Sequence, residues 1–257
     1  MPVSIIKLLS FEIRGRFAHF RKFYTNSSSL SYFIPPRTTI IGMLGAILQY
    51  DRDSYYDIFN ENDFRISVAV TSNVKIKKQM QCMNYLHHKS YKDLMKGKGA
   101  DQHSQCRLEL LMTDTLRPID YTVYVGATHE RSLKTLVEIE KKIRNDNLGF
   151  GVYLGQRQFK AEIHHVVMYD HISYLASSKH LDTVCIQDFA QPDPTLNIDR
   201  HIVVDRMPIH FVENKDKRSR VLQSIKNVIH EKKGLRLSGR FEHCYQVENK
   251  CIAFFEE

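Results

Sequence analysis

Residues 14–49, RGRFAHFRKFYTNSSSLSYFIPPRTTIIGMLGAILQ, leave the chain few choices. Ile40, Met43, Leu44, Ile47 and Leu48 recur at helical spacing and give one apolar face, and Pro35-Pro36 stand just before it, where prolines set a helix start. The stretch reads as the end of a strand, a long polar and aromatic loop, and a short helix. Gly42 and Gly45 each cost a helix interior roughly 1 kcal/mol relative to Ala, so two of them three apart predict that another backbone passes very close. Thr38 and Thr39 fall in the first turn, where unpaired N–H groups and the positive end of the helix dipole hold anions. With Arg37 supplying charge, this helix entrance is expected to be a phosphate site.

A chain of 257 residues with 42% apolar content can bury a sizeable core. Five cysteines without a C-x-x-C pair argue against a disulfide framework and a zinc knuckle, and point to reduced thiols in a cytosolic protein. No run approaches the roughly 20 apolar residues that span a bilayer, and residues 1–9 lack a long apolar signal segment, so no membrane partner is expected. Net charge is +8, and its placement matters: residues 1–50 carry +5, residues 51–74 carry −3, residues 75–107 carry +6, and residues 108–257 are neutral. Two basic segments interleaved with aromatics are what a nucleic acid selects, since clustered Lys and Arg dominate phosphate binding and bases stack on rings.

In order, residues 4–13 read as a buried strand. The loop that follows carries Arg16, Phe17, His19, Phe20, Arg21, Lys22, Phe23, Tyr24 and Tyr32. Phe17, Phe20 and Phe23 are read as packing, and His19, Arg21 and Tyr24 as groups that meet nucleotides. After the helix, residues 64–70 alternate as a second strand and run on to Lys75, Lys77 and Lys78, the first two on one face and the third on the other. Residues 79–105 lose all period, and a loop of that length is usually functional. Adjacent His87 and His88 cannot complete a tetrahedral site, so no metal is expected, and no cofactor. Residues 107–113 and 119–127 read as further strands. Thr128 is placed to cap a helix whose inward face is Leu133, Leu136, Val137 and Ile143. A strand at Val152-Tyr153 would complete a βαββαβ order in an α+β fold, with a domain boundary at 155/156. Residues 156–257 are read as a smaller, mainly β domain for docking protein neighbours. Its strand candidates are 161–169, 183–189, 201–204, 207–212 and 245–255, and Val221, Leu222, Ile225, Val228 and Ile229 form a helical stripe ended by Gly234.

The run Gly15, Ala18-His19-Phe20-Arg21, Thr25, Tyr32, Pro35-Pro36, Thr38, Gly42, Leu44-Gly45-Ala46-Ile47-Leu48 resembles the N-terminal signature of the fifth CRISPR-associated (Cas) protein family, and Tyr153-Leu154-Gly155-Gln156-Arg157 is similar to a later family segment. The resemblance implies a RAMP-type subunit of Cascade, the RNA-guided surveillance complex of type I CRISPR systems, most like type I-B members. It implies a ferredoxin-like (RRM/RAMP) domain over 1–155 whose insertion at about 79–105 is a thumb-like hairpin that folds over guide RNA. Thumb candidates are Met80, Met83, Tyr85, His87, His88 and Lys89. RNA-binding candidates are His19, Arg21, Tyr24, Thr25, Tyr32, Arg37, Thr38, Thr39, Gly42, Lys75, Lys77, Lys78, Arg107 and Arg157. Implied partners are the 5′ handle of CRISPR RNA, the Cascade backbone and large subunits, and target double-stranded DNA within the complex. Type I-C members cut precursor RNA without metal, and His19, Tyr24, His129 and Lys134 are the groups here that such chemistry would use. Thr128-His129-Glu130 stands where those nucleases carry an adjacent Lys-His, so the expectation is binding without catalysis.

Overall fold

The computed structural model describes residues 3–25, 29–71, 75–86, 88–98, 103–115, 117–214 and 219–256. Strand β1 (Lys7–Gly15) is followed by the short strands β2 (Phe20–Arg21) and β3 (Ser31–Tyr32), then helix α1 (Arg37–Ile47) and strand β4 (Phe64–Val70). Next come β5 (Ile76–Leu86), α2 (His88–Met95) and β6 (His103–Thr113), then β7 (Ile119–Ala127), α3 (Glu130–Arg144) and β8 (Glu162–Tyr169). The rest is β9 (Ser173–Leu181), β10 (Cys185–Ile186), β11 (Ala190–Pro192), β12 (Ile202–Asn214), β13 (Ser219–Glu231), β14 (Leu237–Val247) and β15 (Lys250–Ile252). The class is α+β, mostly β with few helices.

The first sheet runs β4-β7-β1-β8, all antiparallel, and its elements follow the chain order β1-α1-β4-β7-α3-β8. Leu9, Phe11 and Ile13 of β1 share a core with Ile40, Leu44 and Ile47 of α1 and with Leu136 and Ile139 of α3. The opposite face of β1 is also covered: Leu8 and Tyr124 pack on Tyr245, Ile252 and Phe254. Burial on both faces is why β1 reads as a near-continuous apolar run. The outer edge of β4 is closed by the C-terminal part, where Val184 N–H donates to Val68 C=O at 3.1 Å and Phe255 N–H to Ile66 C=O at 2.9 Å. That leaves no open template on that side.

Several elements differ from the sequence reading. Val152-Tyr153 makes only an isolated bridge to Lys160, and the fourth strand of the first sheet is β8, which lies beyond residue 155. The residue at the start of α3 is His129, whose N–H is accepted by Ser132 Oγ at 3.1 Å, while the Thr128 hydroxyl donates to the carbonyls of Asn62 and Asp63. On α3 the inward residue is Ile139, and Val137 is exposed. The stripe at 221–229 is not a helix but β13, paired with β12 along its whole length. Its β-branched residues suit a strand, and register shifts between Pro208 and Phe211 break the period of two, so that the spacing imitates a helical one. The span 79–105, a loop by its lack of period and a hairpin by the family resemblance, is a hairpin: β5 and β6 pair without interruption from Ile76↔Thr113 to Leu86↔His103, with α2 between them. In the hairpin's outer half Gln81 and Met83 are half-buried, Met83 against the main core, while Cys82 and residues 84–86 are exposed, too short an alternation to mark a strand.

Candidate nucleic-acid interface

A groove of about 820 Å³ opens along one side of α1. Its walls are Thr38, Thr39, Gly42, Met43 and Ala46 of α1, the Arg21–Phe23 corner, the 151–156 segment, and Pro208, Phe211, Arg220 and Leu222 of the β12–β13 hairpin. A second depression of about 650 Å³ begins where the first ends, sharing Arg21 and Gln156, and continues to Tyr85, Gln105 and Arg107 of the β5–β6 hairpin. Arg21, Arg52, Arg220 and Arg107 line the two together with Tyr55, Tyr153 and Tyr85, and no carboxylate stands among the described lining residues, although Asp53 behind them pairs with Arg52 at 3.3 Å and with Arg220 at 3.6 Å.

Local chemistry fixes each wall. The glycines of α1 do admit a close neighbour, but it is a ring and not a backbone: a Cβ on Gly45 would lie 2.7 Å from Tyr55 Cδ1, and one on Gly42 3.2 Å from the Tyr55 hydroxyl. Gly155 holds φ +90°, and a Cβ there would come within 1.9 Å of His19 C=O. Only glycine lets the 151–156 segment meet the loop, whose His19 N–H donates to Leu154 C=O at 3.1 Å. The same segment is tied to the far end of α1 by Phe150 N–H donating to Ala46 C=O at 3.1 Å. Arg220 lies 4.9 Å over the Phe211 ring, 3.3 Å from Tyr56 Oη and 3.6 Å from Asp53 Oδ1, so its guanidinium is held flat before any ligand arrives.

Of the sequence candidates, Arg21, Thr38, Thr39, Gly42 and Arg107 come together on these walls. Arg21 is exposed, and its Nη2 donates to Thr25 C=O at 3.0 Å. Thr39 N–H already donates to Pro36 C=O at 2.9 Å, so Thr39 has only its hydroxyl to offer. Tyr24 is 49% exposed beside the groove, edge-to-face on Phe23. Arg157 is exposed next to Gln156 but outside both linings, and Lys75 and Lys77 are exposed at the base of β5, away from them.

Others turn inward. Arg37 is fully buried: Nε pairs with Glu256, Nη1 donates to Ile209 C=O at 3.2 Å and Nη2 to Phe59 C=O at 2.9 Å. It cross-ties α1, the connector, β12 and the C-terminal segment, and its charge is neutralised there rather than offered to a phosphate. Burial raises the Glu256 carboxyl above its ordinary value despite Arg37 beside it. Tyr32 is buried with its hydroxyl donating to Arg206 C=O at 2.6 Å, and Thr25 is buried with its hydroxyl on Lys22 C=O. His19 is buried too, although its edge reaches the groove wall. Its Nδ1 donates to Glu109 C=O at 2.8 Å, which leaves Nε2 to accept from Ser29 Oγ at 2.9 Å. Burial lowers its pKa, so the ring is neutral and both nitrogens are occupied. Lys78 lies over the Phe33 ring at 4.3 Å and pairs with Glu109 at 3.1 Å. In the hairpin, Tyr85 Oη donates to Gln156 Oε1 at 3.2 Å and Gln158 Nε2 lies 3.9 Å from Met83 Sδ, so β5 touches the 156–158 segment. Met80 is exposed, His88 and Lys89 begin α2, and His87 lies outside the described residues.

Arg52, Tyr55, Tyr153, Phe211 and Arg220 were not among the sequence candidates. Tyr153 lies in the segment that resembles the family, but Arg52 sits in an acidic connector and Arg220 at the start of β13, whose spacing imitates a helix.

Among described residues no helix is long and apolar enough to cross a membrane. Among curated proteins, no relative matches by sequence. In fold the chain is similar to "Crystal structure of a CRISPR protein from Archaeoglobus fulgidus", at 10% identity and TM-score 0.53, with 95% of this chain and 98% of that one covered. It also matches a chain of a "CRISPR RNA-guided surveillance complex" at 14% identity and TM-score 0.46, covering 86% and 90%. The family model described as "CRISPR-associated protein (Cas_Cas5)" matches residues 8–217, and the chain therefore belongs to the fifth CRISPR-associated protein family.

Proposed function

We propose that this chain is an RNA-binding, non-catalytic subunit of a type I, I-B-like Cascade complex, and that it holds the 5′ handle of CRISPR RNA in the groove along α1. The observation that carries this reading is the continuous path from Thr38 to Arg107, with four arginines, three tyrosines and no carboxylate among its described lining residues. Such walls suit a single strand, whose phosphates take the guanidinium groups and whose bases stack on rings. In this reading the order β1-α1-β4-β7-α3-β8 is a ferredoxin-like RAMP unit, and the β5-α2-β6 hairpin is the thumb that closes over RNA. The chain caps the filament of backbone subunits and bears on the large subunit near the PAM-proximal DNA. Sequence is then read by pairing between guide and target, while this protein holds backbone and shape.

Binding without cutting is supported by the state of His19, whose two ring nitrogens are engaged inside the fold. A general base must reach the 2′-hydroxyl it deprotonates. The test is binding of the chain's own repeat RNA across a salt series in EDTA. Arg21→Ala and Arg107→Ala are each expected to reduce the slope of log K against log salt by about 0.7, the share of one phosphate contact on a single strand. Lys179→Ala on β9, outside the groove, is expected to leave it unchanged, and the RNA is expected to remain intact for hours. Unchanged slopes in both groove variants would contradict the site. Site-specific cleavage lost in His129→Ala or Tyr24→Phe would contradict the non-catalytic reading.

A further inference from the structure

The groove along α1 has two walls that lie far apart in sequence, and one ion pair ties them together. Arg21 and Phe23 line the groove from the corner that follows β2, and Pro208 and Phe211 line it from β12. Lys22, between the first two, is not among the lining residues. Its Nζ instead donates to Asp205 Oδ1 at 2.5 Å, three positions before Pro208, with 15% of the lysine side chain and 5% of the aspartate side chain exposed. Tyr32 Oη, donating to Arg206 C=O at 2.6 Å, gives β12 a second tie to the same region.

The corner is folded around Lys22. Its N–H donates to Leu30 C=O at 2.8 Å, and its C=O accepts from Thr25 N–H at 3.2 Å and from the Thr25 hydroxyl at 2.8 Å. Nζ also lies 5.2 Å from the centre of the Tyr32 ring and 5.8 Å from that of the Tyr24 ring. The side chain that leaves the wall therefore fixes where its neighbours on the wall stand. Asp205 depends on it in turn: its Oδ2 and both ring nitrogens of His230, 3.7 Å away, have no hydrogen-bond partner among the described residues, so Lys22 is the group that donates to this carboxylate. A buried ion pair seldom adds stability over packed apolar groups, because taking two charges out of water costs about what their attraction returns, and its best-attested use is to fix register.

We infer that Lys22 and Asp205 are positioning residues for RNA: their ion pair holds the 21–23 corner and β12 at the spacing a single strand needs, and neither side chain takes a phosphate. The inference rests on the groove as the RNA site, and its test keeps the two apart. Binding of the chain's own repeat RNA is measured across a salt series, beside thermal melting of each variant. Lys22→Met with Asp205→Leu leaves neither charge of the pair buried alone, so it is expected to melt no lower than wild type. It is expected to bind RNA about tenfold more weakly at every salt, as when one or two further side chains must be ordered on binding, with the slope of log K against log salt unchanged. Asp205→Asn separates position from charge. Loss of a negative charge near the groove strengthens RNA binding if the pair acts through its field alone, whereas weaker binding is expected here, because an amide holds an ammonium less firmly than a carboxylate does.

Wild-type affinity in the double variant would overturn the clasp and leave the groove standing. A slope reduced by about 0.7 in that variant would make Lys22 a phosphate contact, and tighter binding by Asp205→Asn would assign the pair to the field; either result would overturn the clasp. Weak binding that only follows a lowered melting midpoint would assign the pair to folding alone and overturn it as well. Unchanged slopes in both Arg21→Ala and Arg107→Ala would remove the groove and the clasp together.

Discussion

Arg37 shows how a residue read for one task can be held to another. Its place at a helix entrance fits a phosphate, but Glu256, 219 positions away, takes the charge, and no local pattern announces a partner so distant. His19 was equally legible as a functional type and equally illegible as a buried one, since its acceptor is the backbone carbonyl of Glu109. The burial of His19 makes a pH prediction. Burial lowers the His19 and His210 pKa values in the folded chain, with Arg37 adding to the effect at His210. The unfolded chain takes up those protons near pH 6.5 while the folded chain resists, so stability is complete above that pH and falls as pH drops toward the lowered values. Glu256, raised by burial, acts in the opposite sense above about 4.5, so the His19 share is read by difference. Urea unfolding from pH 7.5 to 5 is expected to show a wild-type loss that exceeds that of His19→Gln by up to about 1.4 kcal/mol per pH unit. Parallel curves for the two proteins would show that His19 is not held neutral by the fold.

Elements buried on one or both faces announced themselves, and elements with little buried face did not. β1, α1, β4 and β7 were legible because Leu9, Phe11, Ile13, Ile40, Leu44, Ile66, Val68, Val123 and Val125 repeat with the period their packing demands. The outer half of the β5–β6 hairpin exposes Gln79, Met80, Cys82, Asn84 and Tyr85 and half-buries Gln81 and Met83, so its apolar signal is weak and pairing does most to set its strands. β13 failed for a different reason, its period broken by the register shifts opposite Pro208 and Phe211. The 151–156 segment is the element on which the groove most depends, and Gly155 is its hinge point. Gly155→Ala must abandon φ +90° and separate two backbones, so it is expected to cost at least about 2 kcal/mol and to weaken RNA binding along with folding. Chemical denaturation of the purified variant checks this, and a wild-type midpoint would mean that the segment is not fastened to His19 as described.

Across the whole molecule, charge and fold divide the work. The basic segments 1–50 and 75–107 meet at the groove through Arg21 and Arg107. The charge placement was legible at once, whereas the β12–β13 wall was not, because Phe211 and Arg220 reach the groove only through tertiary packing. The most direct test of the central claim is ultraviolet crosslinking of the intact chain to its own repeat RNA, with the crosslinked peptides identified by mass spectrometry. The groove account predicts adducts within residues 19–24, 38–55, 85–107, 151–157 and 208–222, and none in β8 or β9. Adducts confined to β8, β9 or the outer face of α3, with the groove segments unmarked, would contradict it.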